Sequence, residues 1–181
     1  MIDFLAPNWN AYPILIPSLL CQTSPRWRLR ICNDSPDSKF LNNCAAFRDE
    51  RIEIATTEQR LGNWGHPIRK MLLDELTDEG QLVVISNGDN YCFPNLVASI
   101  ERCTEDFICW PANHSYINYK IMSPRTEYGN LDISMVAIRA RICKEVGWKS
   151  FLQDADWLYL QECWQKSKSW KFLTEPMSVH N

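Results

Sequence analysis

Asp89 is the carboxylate best placed to do chemistry: it sits in Ser86-Asn87-Gly88-Asp89-Asn90, directly behind the apolar run Leu82 to Ile85. A carboxylate held at the tip of a buried strand is a rigid oxygen ligand for a divalent cation. Asn87 and Asn90 beside it can hydrogen-bond a polar ligand, and Gly88 permits close approach of backbone to a ligand. The same residues also spell an ordinary turn, which Asn-Gly and Gly-Asp dipeptides favour. A second pair of carboxylates, Asp154 and Asp156, stands in Leu152-Gln153-Asp154-Ala155-Asp156-Trp157 at the start of a helical pattern. A carboxylate there can deprotonate an attacking hydroxyl or simply cap the helix. His180 lies beside the end of the given chain, where an imidazole is a metal ligand or a solvated tail residue. Of the other two histidines, His66 lies in a loop that could face a ligand, and His114 has no evident role.

The elements that must hold these groups can be read from periodicity. Ile2 to Ala6 is a short apolar strand running into Pro7-Asn8-Trp9-Asn10. A helix begins near Pro17, since proline is tolerated in a first turn. Leu29 and Ile31 alternate with Arg28 and Arg30 in a strand that ends on Asn33 and Asp34, and Arg51 to Ala55 repeats that alternation. Ile68, Met71, Leu72 and Leu76 have helical spacing behind Pro67. Leu82 to Ile85 is continuous enough to be a central parallel strand covered on both faces. Pro94 opens a helix with Leu96, Val97 and Ile100 on one side.

The first hundred residues thus read strand, helix, strand, strand, helix, strand, helix, an α/β pattern with a mostly parallel central sheet flanked by helices. Ligands of such sheets bind beyond the carboxyl ends of the strands, where the three polar loops should converge. Further on, "SYINYKIM" and "GNLDISMVAI" read as strands, the latter feeding a helix that ends near Gly147. "DADWLYLQECWQ" is helical, and "WKFL" is a short strand before the tail.

Bulk properties narrow the function classes. A chain of 181 residues with 45% hydrophobic content suits one folded domain, without internal repeat or linker. Its formal charge of −3 leaves no basic stripe for a phosphodiester backbone, so nucleic acid is not an expected partner. No stretch reaches the roughly 20 apolar residues of a membrane span, and the first residues lack the pattern of a secretion signal, so a soluble cytoplasmic protein is expected. The eight cysteines show no C-x-x-C spacing and read as buried reduced thiols.

Four motifs in order resemble a family 2 glycosyltransferase of the GT-A fold, a Rossmann-like nucleotide-sugar-binding architecture, over nearly the whole chain. "APNWNAYPILIPSLLCQTSPRWRLRICNDS" is similar to that family's opening segment, and "LVVISNGDNYCFP" to the strand carrying its D-x-D motif. "LQDADWLYL" is similar to its Glu-Asp segment, and "LTEPMSVHN" to its late strand ending on histidine. The resemblance implies a single domain over 1–181, with a nucleotide-binding half (1–100) and an acceptor and catalytic half (101–181). It implies inverting transfer of a hexose from a UDP-sugar, UDP-glucose or UDP-galactose by default, to an acceptor hydroxyl.

Site residues follow from the same resemblance. Asp89 and His180 would hold the cation, Mn²⁺ in preference to Mg²⁺ because imidazole suits it better. Asp34 would accept the uracil N3–H, Trp9 would stack on the base, Pro7 would wall the pocket, and Arg69 would assist the diphosphate with Asn87 and Gly88. Asp154 would be the general base, with Asp156 the alternative. The segment "NHSYINYKIMSPRTEYGN" could form a lid.

Three carboxylates of the family pattern are absent: Asn33, Asn87 and Gln153 stand in their places. Their loss implies a weaker metal site and keeps open a non-catalytic nucleotide-sugar or carbohydrate-binding module on the same fold. A nucleotidyltransferase would want a glycine-rich basic loop after the first strand, which "PNWNAYP" is not.

Overall fold

The structure, a computed structural model, describes residues 1–9, 11–77 and 81–181. Asn10, the last residue of the first polar loop, lies outside the described residues. In chain order the elements are β1 (Ile2–Asn8), α1 (Leu15–Leu20), β2 (Trp27–Asn33), α2 (Ser38–Cys44), β3 (Ile52–Thr56), α3 (His66–Asp74), β4 (Leu82–Ile85) and β5 (Tyr91–Cys92). Then follow α4 (Leu96–Glu101), β6 (Phe107–Cys109), β7 (Ala112–His114), β8 (Lys120–Met122), β9 (Val136–Arg139), α5 (Ala140–Val146), α6 (Ala155–Lys166), β10 (Trp170–Phe172) and β11 (Ser178–His180).

Seven strands form one sheet in the order β10-β6-β9-β4-β1-β2-β3, and four form a smaller sheet, β5-β11-β7-β8. In the large sheet only β9 runs against its neighbours, β4 and β6. The chain proceeds from β1 to β2 and β3 on one side, then returns to β4 on the other. The tips of β1 and β4 therefore flank the point where the strand order reverses, the crevice where α/β sheets bind ligands.

Both faces of the central strands are buried, which explains their unbroken apolar runs. Leu5, Val83 and Ile85 face a core shared with Ile68 and Leu72 of α3 and Leu160 of α6. Phe4, Ala6 and Val84, one residue out of phase, face a second core with Ile16 of α1, Ile100 of α4 and Trp110. Among the described residues no helix is long and apolar enough to cross a membrane. All eight cysteines are free and six are buried, and burial pushes the Cys92, Cys109 and Cys143 thiols up to about 12, leaving them inert at neutral pH.

Several elements differ from the sequence reading. Helix α1 starts at Leu15, so Pro17 is its third residue, still within the turn that lacks amide partners. Helix α2 was not foreseen: Asp37 caps it, but only Phe40 and Cys44 are buried, too few to display a period. "SYINYKIM" is a strand only over Lys120–Met122. Asn118 and Tyr119 before it have φ of 55° and 57°, left-handed values that interrupt an extended run. "GNLDISMVAI" becomes a strand only at Val136, because the Asp132 side chain accepts the Ser134 amide and opens a 3-10 turn over Ile133–Met135. Strands β5, β6 and β7 have two or three residues each, below the length at which alternation is visible.

Candidate active site

The loops after β1, β2 and β4 are tied to one another at their roots. The Gly88 amide donates to the Pro7 carbonyl (3.0 Å) and the Asp34 amide to the Asn8 carbonyl (2.7 Å). The Asn8 side-chain amide donates to Asn33 Oδ1 at 2.8 Å. Beyond these ties opens a cavity of about 880 Å³, at the large end of the roughly 300–1,000 Å³ usual for small-molecule sites. Of the residues picked out in the sequence, Pro7, Trp9, Asp34, Arg69, Asn87, Asp89, Asp154, Asp156 and His180 line it.

Gly88 is not among the lining residues, and its glycine has another reason. A Cβ at 88 would lie 2.8 Å from Asn8 Cγ and 2.9 Å from Asn8 Cβ, so the close approach is to Asn8 and not to a ligand. Asn33, fully buried, accepts from Asn8 and donates to the Ser35 carbonyl. A carboxylate at 33 would lose that donor and place a charge where no water reaches it.

At one end Trp9 carries the Arg60 guanidinium 3.7 Å above its ring, a flat cationic platform at the cavity wall. Arg60 had not been singled out, since an arginine in a polar loop has no distinguishing pattern. Asp34 is 3% exposed, and its two oxygens accept the Leu61 and Gly62 amides at 2.6 and 2.8 Å. It pins the 61–62 loop to the tip of β2 and keeps its second lone pairs for a further donor.

Arg69, on the cavity side of α3, is 3% exposed. It donates to the Trp64 carbonyl (2.7 Å), to Asn87 Oδ1 (2.7 Å) and to His66 Nδ1 (3.0 Å), and lies 3.8 Å from Asp156 Oδ1. One guanidinium thus joins the Asp89 loop to the start of α6. Burial, reinforced by Arg69, pulls the His66 imidazole down to about 4, so it is neutral at physiological pH. The unfolded chain takes up a proton near pH 6.5 that the folded one refuses until about pH 4, so folding stability is full above 6.5 and falls as pH drops through that window. The expected loss is up to about 3 kcal/mol. Urea unfolding at pH 7.5 and 4.5 should show a steeper acid dependence for the natural chain than for His66→Gln; equal slopes would refute it.

Asp156 is drawn toward this network, 3.5 Å from His66 Nδ1, and burial raises its pKa against the pull of Arg69. Asp154 differs. It occupies the N-cap position of α6, yet its side chain makes no capping hydrogen bond, so its carboxylate is not consumed by the helix and borders the cavity.

At the other end, the small sheet supplies a cluster that the sequence did not disclose. Strands β7 and β11 pair in parallel with His114 opposite His180, and the rings stack with centroids 4.1 Å apart and 10° between planes. Asp132 uses Oδ1 for the Ser134 amide and hydroxyl (2.8 and 2.6 Å). Its Oδ2 lies 3.7 Å from His114 Nε2 and 3.8 Å from His180 Nε2. Burial opposes ionisation of Asp132, but the two imidazoles and Ser134 outweigh it and hold the carboxyl well below the usual range.

Burial lowers the His180 pKa, partly offset by Asp132. It raises that of Asp89, whose charge interacts with His180. Asp89 is brought close because the Asn181 side chain donates to its carbonyl at 2.6 Å and β11 pairs with β5. The ligand atoms of His114, Asp132 and His180 lie within 4.8 Å of one another, a nitrogen and oxygen donor set suited to a borderline divalent metal. His114 and Asp132 were missed because nothing local announces the register of β7 on β11; the parallel between "ANHS" and "SVHN" was the available hint.

No family profile and no curated protein match the chain by sequence. Solved structures do match by shape. TarS 1-349 of S. aureus in complex with UDP-GlcNAc superposes with a TM-score of 0.80 at 14% identity, over 98% of this chain and 57% of that one. The mannosyltransferase PcManGT of Pyrobaculum calidifontis, in complex with GDP-Man and Mn²⁺, gives 0.75 at 12% identity, over 99% of this chain and 56% of that one. HddC of Yersinia pseudotuberculosis gives 0.62 at 11% identity, with 99% and 93% covered. The chain spans little more than half the length of the first two. The mixed α/β architecture with its large central sheet is the GT-A-like fold of the glycosyltransferases TarS and PcManGT.

Proposed function

We propose that the chain transfers a sugar from a nucleotide diphosphate donor to an acceptor hydroxyl, with inversion at the anomeric carbon. The observation that carries this reading is the shared cavity: an uncommitted carboxylate, Asp154, borders the same space as Asp89, His180 and the Trp9–Arg60 platform. The complexes of TarS with UDP-GlcNAc and of PcManGT with GDP-Man and Mn²⁺ support it by analogy of fold.

In this reading the base of the donor stacks on the Trp9–Arg60 platform, beside Pro7, and the remaining lone pairs of Asp34 accept the N3–H of uracil. Asp89 and His180 hold a divalent cation, Mn²⁺ before Mg²⁺. When bound, that cation supplies Lewis-acid neutralisation of a departing diphosphate. Arg69 sets the Asn87–Asp89 loop in place through its bonds to the Trp64 carbonyl and Asn87, and the second hydrogen of Nη2 assists the diphosphate. Asp154 takes the proton of the acceptor hydroxyl as it attacks, and Asp156 holds Arg69. A UDP-hexose, glucose or galactose first, is the donor.

The test is a panel of UDP- and GDP-sugars assayed for release of nucleotide diphosphate with and without Mn²⁺. Metal-dependent release from a UDP-sugar, abolished by Asp89→Ala, is the expected result; no release from any donor would sink the catalytic reading. The absence of carboxylates at Asn33, Asn87 and Gln153 favours one alternative, a binding module without turnover. Calorimetry detecting UDP binding in a chain inactive toward every donor and acceptor would select it.

A further inference from the structure

We infer that Asp132 supplies the second carboxylate of the cation site, in place of the one that Asn87 lacks, and that His114 is its positioning residue and not a ligand. The inference rests on the metal-assisted reading above but concerns the chain's own binding chemistry. Asn87 cannot serve as that carboxylate, because it is uncharged and its Oδ1 is occupied by Arg69 at 2.7 Å. Asp132 can: Ser134 occupies Oδ1 alone, leaving Oδ2 turned toward the paired imidazoles.

The two histidines are not equivalent. The Tyr116 amide donates to His114 Nδ1 at 3.3 Å. An amide N–H only donates, so Nδ1 keeps its lone pair and the neutral ring carries its proton on Nε2, the atom facing Asp132. A cation at that Nε2 would need the proton moved to Nδ1, where it would point at the Tyr116 N–H. His114 therefore presents a proton toward the carboxylate and aims it, as outer partners of metal ligands do. In His180, Nδ1 is buried and makes no hydrogen bond among the described residues, so no donor fixes the tautomer as the Tyr116 amide does in His114. Its Nε2, 3.8 Å from Asp132 Oδ2, can carry a proton or give it up to a cation. One imidazole is locked as a donor; the other is not locked and can exchange its Nε2 proton for a cation.

Ligand bonds of about 2.1 Å set neighbouring donor atoms roughly 3 Å apart, so closure requires Asp132 and His180 to approach by less than an ångström and Asp89, which stands outside the 4.8 Å group, to turn in toward them. An imidazole with two carboxylates, Asp132 and Asp89, should take Mn²⁺ or Co²⁺ without a nucleotide, and Mg²⁺ poorly.

The experiment is titration of the full chain with MnCl₂ in the absence of nucleotide, following the free Mn²⁺ signal by electron paramagnetic resonance, with circular dichroism melts of every variant. The natural chain should bind one equivalent. Asp132→Asn, which keeps an acceptor for Ser134, and His180→Gln should each weaken binding at least a hundredfold, whereas His114→Gln, which still offers an N–H, should weaken it about tenfold. Unchanged Mn²⁺ binding by folded Asp132→Asn overturns the carboxylate assignment. Equal loss in folded His114→Gln and His180→Gln overturns the division of roles. Mn²⁺ binding lost in Asp132→Asn by a chain that turns over no nucleotide-sugar supports this inference while removing glycosyl transfer. Mn²⁺-dependent turnover unaltered by Asp132→Asn does the reverse.

Discussion

Asp154→Asn should lower sugar transfer by roughly a hundred- to ten-thousand-fold, the range associated with losing a positioned general base, while leaving donor binding intact. The reason lies at the start of α6. Asp154 occupies the N-cap position without using its side chain to cap, so an isosteric amide should cost the helix almost nothing and remove only the basic oxygen. Asp156, two residues on, is the control. Its Oδ1 lies 3.5 Å from His66 and 3.8 Å from Arg69, so Asp156→Asn should act through the fold, lowering stability along with activity. Single-turnover rates, donor affinity and unfolding curves on both variants separate the two roles. If Asp154→Asn transfers at the natural rate while Asp156→Asn is folded and inactive, the base is Asp156 and the register of the site shifts by two residues.

Arg69→Met should destabilise the chain by about 3 kcal/mol, the largest effect on folding expected within the site. Methionine fills much of the arginine volume but withdraws the donors from the Trp64 carbonyl, Asn87 Oδ1 and His66 Nδ1. Leaving buried acceptors unmade costs about 1–3 kcal/mol each, moderated here because the cavity admits water. Asp156, whose side chain is partly exposed, also loses its cationic neighbour at 3.8 Å, a smaller contribution. Arg69→Lys should recover little, since an ammonium is a point charge and cannot span three acceptors in different directions. Denaturant unfolding followed by tryptophan fluorescence measures the difference. A loss below about 1 kcal/mol in Arg69→Met would mean that the guanidinium does not join the Asp89 loop to α6.

The strands that carry the site were legible because burial on two faces leaves a pattern in the chain itself. Leu82 to Ile85 is uninterrupted because alternate residues enter different cores, and Leu29 and Ile31 alternate with arginines because β2 is only partly covered. Polar loops behind such strands can only gather at their carboxyl ends, so Asp34, Asp89 and Trp9 could be brought to one cavity before any coordinates. Sequence by itself also determined that Asp154 opens a helix, because Trp157, Leu160 and Trp164 recur at its period.

What only the tertiary structure decided are the partners. His114 meets His180 through the register of two three-residue strands far apart in the chain, and Asp132 joins them by a turn that interrupts an apparent strand. Asp34 and Arg69, chosen as ligand contacts, spend hydrogen bonds on Leu61, Gly62, Trp64 and Asn87, and Gly88 makes room for Asn8. The physical reason is one of range. Periodicity records what a segment buries, a local property, while a hydrogen bond or a metal ligand set depends on where distant segments come to rest.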